Sequence, residues 1–146
     1  MQYKIISVGK VKNKSLQTEI EELKKRISRL KEIEIREIKD SNPEIIKKKE
    51  FEEIKKNLSS EDFKVLLTEK GESFSTQNFY ERLKSIEKPI CFIINGAFGH
   101  SKELEKYIDM KLSLSEMTFT HEQAKYLLFE QIYRLECFEK GIPYTK

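Results

Sequence analysis

Apolar positions along this chain switch repeatedly between short strand-like runs and stripes at helical spacing. Residues 2–9 alternate weakly and stop at Gly9, which predicts a strand followed by a polar turn. Leu16, Ile20, Leu23, Ile27 and Leu30 then recur at steps of four and three, one stripe of an amphipathic helix whose Glu21, Glu22, Lys24 and Lys25 face water. Ile33, Ile35 and Ile38 place a second strand over Ile33 to Lys39. Ser41-Asn42-Pro43 reads as a stop and then a helix start, because proline suits the first helical turn; that helix runs to about Asn57.

The alternation continues to the end of the chain. Phe63 to Thr68 forms a third strand closed by Gly71, and Phe79, Leu83 and Ile86 space a third helix that Pro89 ends. The nearly unbroken apolar run Ile90 to Ile94 argues for burial on both faces, hence a central parallel strand. A short helix over Ser101 to Ile108 and a fifth strand over Lys111 to Ser115 follow. Thr120 and Gln123 have capping-box spacing at the start of the last helix, and Gly141 with Pro143 stops it. Strands alternating with helices predict a single-domain α/β fold with a parallel sheet covered on both faces.

The last helix is apolar on more than one side. Ala124, Leu127, Leu128, Ile132 and Leu135 form one stripe, and Tyr126, Phe129, Tyr133 and Phe138 widen it. Such a helix needs a second burial surface. A homodimer interface supplies one, and deeper burial within its own domain is the alternative.

Composition narrows the class. With 36% charged and 10% aromatic residues, the chain has the balance of a globular protein rather than a disordered one. No apolar run approaches the roughly 18 to 20 residues of a membrane span, and the first residues read as a strand rather than a signal peptide, so a cytoplasmic protein is expected. Cys91 and Cys137 lack a partner motif and read as reduced core thiols. His100 and His121 are the only histidines and form no ligand cluster with the cysteines, so no metal site is expected. The net charge of +3 is unevenly spread: residues 1–60 carry 16 Lys and Arg against 11 Asp and Glu, whereas residues 61–146 carry 12 against 14. The excess sits in Lys10, Lys12 and Lys14 and in Lys47, Lys48, Lys49, Lys55 and Lys56. Such clusters can meet phosphates, or can be solvated helix faces balanced by Glu50, Glu52 and Glu53.

Candidate chemistry concentrates where two strands break into small, polar loops. The fourth strand runs into Asn95-Gly96-Ala97-Phe98-Gly99-His100-Ser101, and the fifth into Glu116-Met117-Thr118-Phe119-Thr120-His121. Ligands of open α/β sheets sit outside the carboxyl ends of the strands, and small residues let the main chain approach a nucleotide-like ligand. The first strand ends in Val8-Gly9-Lys10-Val11-Lys12, with no G-x-G-x-x-G dinucleotide fingerprint.

On these segments the chain resembles the ribosomal RNA large subunit methyltransferase H family of the SPOUT class. The likeness runs from Ile5-Ile6-Ser7-Val8-Gly9-Lys10 through Val65 to Gly71, Phe92 to Gly99 and Leu112 to His121, and on to Glu130-Gln131-Ile132-Tyr133-Arg134 and Gly141-Ile142-Pro143-Tyr144. The resemblance implies a C-terminal trefoil knot and a homodimer with active sites near the subunit boundary. It implies methyl transfer from S-adenosylmethionine to N3 of a pseudouridine in 23S ribosomal RNA, on assembled ribosomes. Carried over by position, the cofactor contacts are Leu67, Asn95, Gly96 and the loop Leu114, Ser115, Glu116, Met117, Thr118 and Phe119. Met117 and Phe119 would supply apolar walls; by composition alone all of these are also ordinary strand-end residues.

His121, Lys125, Arg134 and Tyr144 are the catalytic candidates, because the N3 imide must lose a proton and a base or cation would favour its anion. Each has a plainer role available: His121 bonding the backbone at a helix start, Arg134 pairing a carboxylate of the last helix, Tyr144 packing the tail. The chain departs from the family pattern at four places. Asn95 replaces a glycine and tolerates positive φ better than most residues. Thr120 replaces a proline, Lys125 replaces an arginine, and Tyr144-Thr145 replaces a Tyr-His pair. The alternative function is a ribosome- or RNA-binding dimer that keeps the fold with catalysis impaired or lost.

Overall fold

The computed structural model describes residues 1–144. Five strands alternate with helices: β1 (Tyr3–Val8), α1 (Lys14–Arg26), β2 (Leu30–Ile35), α2 (Pro43–Lys56), β3 (Phe63–Ser73), α3 (Thr76–Leu83), β4 (Ile90–Ile94), a 3-10 helix (Lys102–Tyr107), β5 (Met110–Ser113) and α4 (His121–Lys140). The sheet is parallel throughout, in the order β2-β1-β4-β3-β5. β4 lies at its centre with all five residues buried, as its unbroken apolar run requires.

Alternate residues of each strand feed two separate cores. Ile5, Val65, Phe92 and Ile94 face α1, α3 and α4, while Ile6, Val8, Leu66, Cys91 and Ile93 face α2 and the 3-10 helix. Cys91 and Cys137 are free thiols in this interior, and burial pushes the Cys91 thiol up to about 12.

Local signals set the helix ends. Asn42 caps α2 ahead of Pro43, the full capping box of Thr120 and Gln123 opens α4, and Gly141 closes it in the left-handed conformation at φ 69. Several boundaries differ from the periodicity: β2 ends at Ile35 rather than Lys39, and α3 ends at Leu83, before Ile86. The α1 stripe predicts helix as far as Leu30, yet α1 stops at Arg26 and β2 begins at Leu30 rather than Ile33. Long-range partners decide this: Leu30 pairs with Tyr3 in the ladder, the Tyr3 amide donates to the Arg29 carbonyl at 2.8 Å, and the Ser28 amide donates to Glu136 of α4.

β3 also outruns its predicted end at Thr68. Its ladder with β5 breaks at Leu67 and resumes at Glu72, both residues standing opposite Leu112, so residues 68–71 bulge out of the sheet. Gly71 makes the close return possible, because a Cβ there would lie 2.7 Å from the Leu112 backbone. β5 itself begins one residue early and ends at Ser113, two residues short of Ser115.

Candidate functional site

Because the strands are parallel, β3, β4 and β5 release the chain on the same side of the sheet. The β3 bulge, the loop after Ile94 and the loop after Ser113 together enclose a cavity of about 700 Å³, closed on its far side by the start of α4. Leu67, Asn95, Gly96, Leu114, Ser115, Met117 and Phe119 all line it. Glu116 and Thr118 do not; the Thr118 hydroxyl instead donates to Glu69 at 2.6 Å and ties the β5 loop to the β3 bulge. Within that loop the Ser113 hydroxyl donates to the Ser115 carbonyl, and the Ser115 hydroxyl accepts from the Met117 amide.

The cavity lining mixes apolar Leu67, Ile94, Leu114 and Phe119 with polar Thr68, Glu69, Ser115 and Thr120. Met117 is 75% exposed and Phe98 53% exposed, an unusual placement for large apolar side chains unless something covers them. Asn95 Nδ2 is buried in the lining with no hydrogen-bond partner, a donor awaiting an acceptor. Residue 95 does not use positive φ, which among the described residues is confined to Gly9, Gly99 and Gly141, so asparagine replaces glycine here without backbone strain.

Thr68, Glu69, Phe98, His100 and Glu122 also line the cavity and were not singled out as site residues from the sequence. Their only sequence signal is adjacency to the same strand ends. His100 Nε2 lies 3.7 Å from Glu105, and burial holds its imidazole below the usual value despite that carboxylate.

Of the four catalytic candidates, only His121 lines the cavity. Its Nε2 sits 3.7 Å from where a Cβ on Gly9 would be, so α4 begins against the β1–α1 turn. Glu122 fastens that turn, accepting the amides of Lys12 and Asn13 at 2.9 Å each. Lys10, Lys12 and Lys14 are exposed on and just after that turn.

Lys125 stands elsewhere. It is 3% exposed and bridges Glu32 and Glu34 of β2, each at 3.1 Å, beside a second cavity of about 220 Å³. Arg134 and Tyr144 come together with Glu130: the Arg134 guanidinium pairs with Glu130 at 3.0 Å and lies 4.7 Å from the Tyr144 ring centroid, and the Tyr144 hydroxyl donates to Glu130 at 3.2 Å. Thirteen residues of α4 put this cluster about 20 Å along the helix from His121. Thr145 lies outside the described residues.

The basic face of α2 divides as well. Lys47 pairs with Glu44 and Lys56 with Glu53, which suits a solvated surface. Glu50 does not balance that surface as its sequence position suggests. It is 3% exposed, because α2 turns this residue toward β1 and the loop after β4.

The SPOUT methyltransferase family, described as "Predicted SPOUT methyltransferase", matches residues 1–145. The chain is 42% identical over 144 residues to the ribosomal RNA large subunit methyltransferase H of Synechococcus sp. (strain CC9311), covering 98% of this chain and 95% of that one. It is 38% identical to the protein of that name from Alkaliphilus oremlandii and 37% identical to the one from Clostridium kluyveri (strain NBRC 12016), with all of this chain and all of each relative aligned. This end-to-end likeness, over the same α/β architecture, shows that the chain belongs to the ribosomal RNA large subunit methyltransferase H family of SPOUT proteins, whose fold is the trefoil knot.

Proposed function

We propose that this protein methylates N3 of a pseudouridine in 23S ribosomal RNA, using S-adenosylmethionine, on assembled ribosomes in the cytoplasm. The observation that carries the reading is the cavity at the carboxyl ends of β3, β4 and β5, which seven of the nine expected cofactor residues line. The relatives' names supply the substrate class.

The residues present fit the cofactor. Leu67, Leu114, Met117 and Phe119 offer apolar walls for an adenine ring, loop amides and carbonyls offer its polar edge, and the unpartnered Asn95 Nδ2 offers a donor. When bound, the sulfonium supplies a methyl group already activated for transfer. The chain's remaining work is alignment and proton removal. His121 accepts the N3 proton as the lone pair left on nitrogen forms the new bond. Lys10, Lys12 and Lys14 hold RNA phosphates at the mouth.

Arg134 lies about 20 Å along α4 from His121, with the tail residue Tyr144 beside it, so the reading includes a homodimer in which Arg134 and Tyr144 of the partner subunit complete each site. The exposed Phe138 and Ile142 and the half-buried Leu127 and Tyr133 provide apolar area for that contact.

The test is incubation with methyl-labelled S-adenosylmethionine and ribosomes lacking this methylation, followed by mapping of the label. Label at N3 of a pseudouridine is expected. Cofactor binding with no label would favour the alternative, an RNA-binding dimer with lost catalysis.

A further inference from the structure

A carboxyl group lies directly behind the proposed cofactor loop. Glu50 projects from α2 toward Gly96, and a Cβ on Gly96 would lie 3.0 Å from its Oε2, 3.2 Å from its Oε1 and 3.3 Å from Val8 Cγ1. The Gly96 main chain thus forms a thin wall, with the cavity on one side and a buried carboxyl on the other. Two polar atoms at this wall lack partners, Glu50 Oε1 behind it and Asn95 Nδ2 beside it. Buried, incompletely satisfied polar groups of this kind concentrate at functional sites.

We propose that Glu50 is a positioning and specificity residue of the pocket, bracing the Asn95–Gly96 turn from behind and favouring a cationic sulfonium ligand over its neutral thioether counterpart. The proposal rests on the cofactor reading given above. A negative charge in a water-poor setting acts across a thin wall far more strongly than it would in solvent. The donor carries a positive sulfur and the product of transfer does not, so an ionised Glu50 holds the first and lets the second leave.

The surroundings make that charge adjustable. Burial, reinforced by the Glu37 carboxylate after β2, pushes the Glu50 carboxyl up to about 7, while the Ile38 amide draws it down. On its own helix Lys47 is engaged by Glu44 and Glu53 by Lys56; β1 brings Val8 to the same wall, and the loop after β4 carries Gly96 and, further on, His100 facing Glu105. Among the described residues, the influences on the Glu50 carboxyl are burial, Glu37 and the Ile38 amide, none of them a cation. A cationic ligand would be the first, and by linkage its affinity rises as Glu50 ionises.

The experiment measures binding of S-adenosylmethionine and S-adenosylhomocysteine by calorimetry between pH 6 and pH 8, in wild type and in Glu50→Gln. Wild type should bind the sulfonium about tenfold more tightly at pH 8 than at pH 6, with less than about threefold change for the thioether. Glu50→Gln should flatten the difference between the two ligands. His100 and His121 are present in both proteins, so the comparison isolates Glu50. An unchanged slope in Glu50→Gln, or equal slopes for the two ligands in wild type, would overturn the proposal. Absence of binding by either ligand at every pH would overturn the pocket assignment with it. Should Glu50→Gln fold poorly, carbon-13 titration of the Glu50 carboxyl in wild type decides: its midpoint falls on adding the sulfonium and not the thioether, and equal midpoints refute the idea.

Discussion

Lys125 and Arg134 lie nine residues apart on α4 and carry the same formal charge, yet the fold puts them to opposite uses. Lys125 is sealed against Glu32 and Glu34 on the sheet edge. Arg134 sits on a more accessible part of the helix, in a cluster with Glu130 and the tail residue Tyr144. A cation between two carboxylates, both on a neighbouring strand, is a fastening between elements. A cation beside an aromatic ring and a carboxylate gathers the tail residue Tyr144 onto the helix. Both residues have the chemistry to favour an imide anion, and only burial and partners separate them.

Lys125→Met breaks the comparison most severely. It leaves Glu34, 40% exposed, to water and Glu32 to Lys24 alone, so the loss should be about 2 kcal/mol, that of charged hydrogen bonds partly replaced by solvent. Urea unfolding should show that loss, and a variant as stable as wild type would contradict the fastening role. Arg134→Ala should do the reverse: stability falls by less than about 1 kcal/mol, and methyl transfer falls about a hundredfold, near 2.7 kcal/mol at the transition state. Mixing Arg134→Ala with His121→Ala protein should then restore about a quarter of wild-type activity, since half the dimers formed at random carry one intact composite site. No recovery on subunit exchange would argue that both residues serve the same chain.

Smaller effects sharpen the picture at the other end of the helix. Thr120→Ala removes the capping box and should cost about 1 kcal/mol, read as a lowered thermal midpoint. The fastening also has a pH signature. Burial pushes the Glu32 carboxyl up, but Lys24 and Lys125 together hold it below its ordinary value of 4.5. Its contribution is full above that value and lost as pH falls through the lower folded one, so Lys125→Met should show a shallower acid limb in a thermal-shift series. Glu50 has the opposite sign. Its raised carboxyl stabilises fully below 4.5, and that contribution is lost as pH rises through about 7, so Glu50→Gln should melt higher than wild type at pH 8.

Much of the architecture was legible because its causes are local. The unbroken run Ile90 to Ile94 became the central strand at those bounds, and the Thr120–Gln123 box and Gly141 became the ends of α4. The misplaced boundary at Leu30 had a non-local cause, since its apolar spacing fits helix and strand alike until Tyr3 claims it as a ladder partner. The β3 bulge was illegible for the same reason: Leu67 and Glu72 are both defined by Leu112, some forty residues away. Within α4 the wide apolar face divided in a way periodicity does not resolve. Leu128, Phe129, Ile132 and Leu135 all went to the core of the same chain, whereas Phe138 remained 40% exposed.

The sequence by itself determined the alternation of elements, the parallel sheet, the family, and the strand-end loops that line the cavity, because period, caps and glycines act over a few residues. Only the tertiary structure decided which charged residues leave water. Lys125 reads as a candidate catalytic cation and Glu50 as part of a solvated charged face, and nothing in their immediate neighbours announces that both are buried. Their burial depends on which strand and which loop each helix is packed against, and the free energy of a charge is set by that surrounding rather than by its place in the chain.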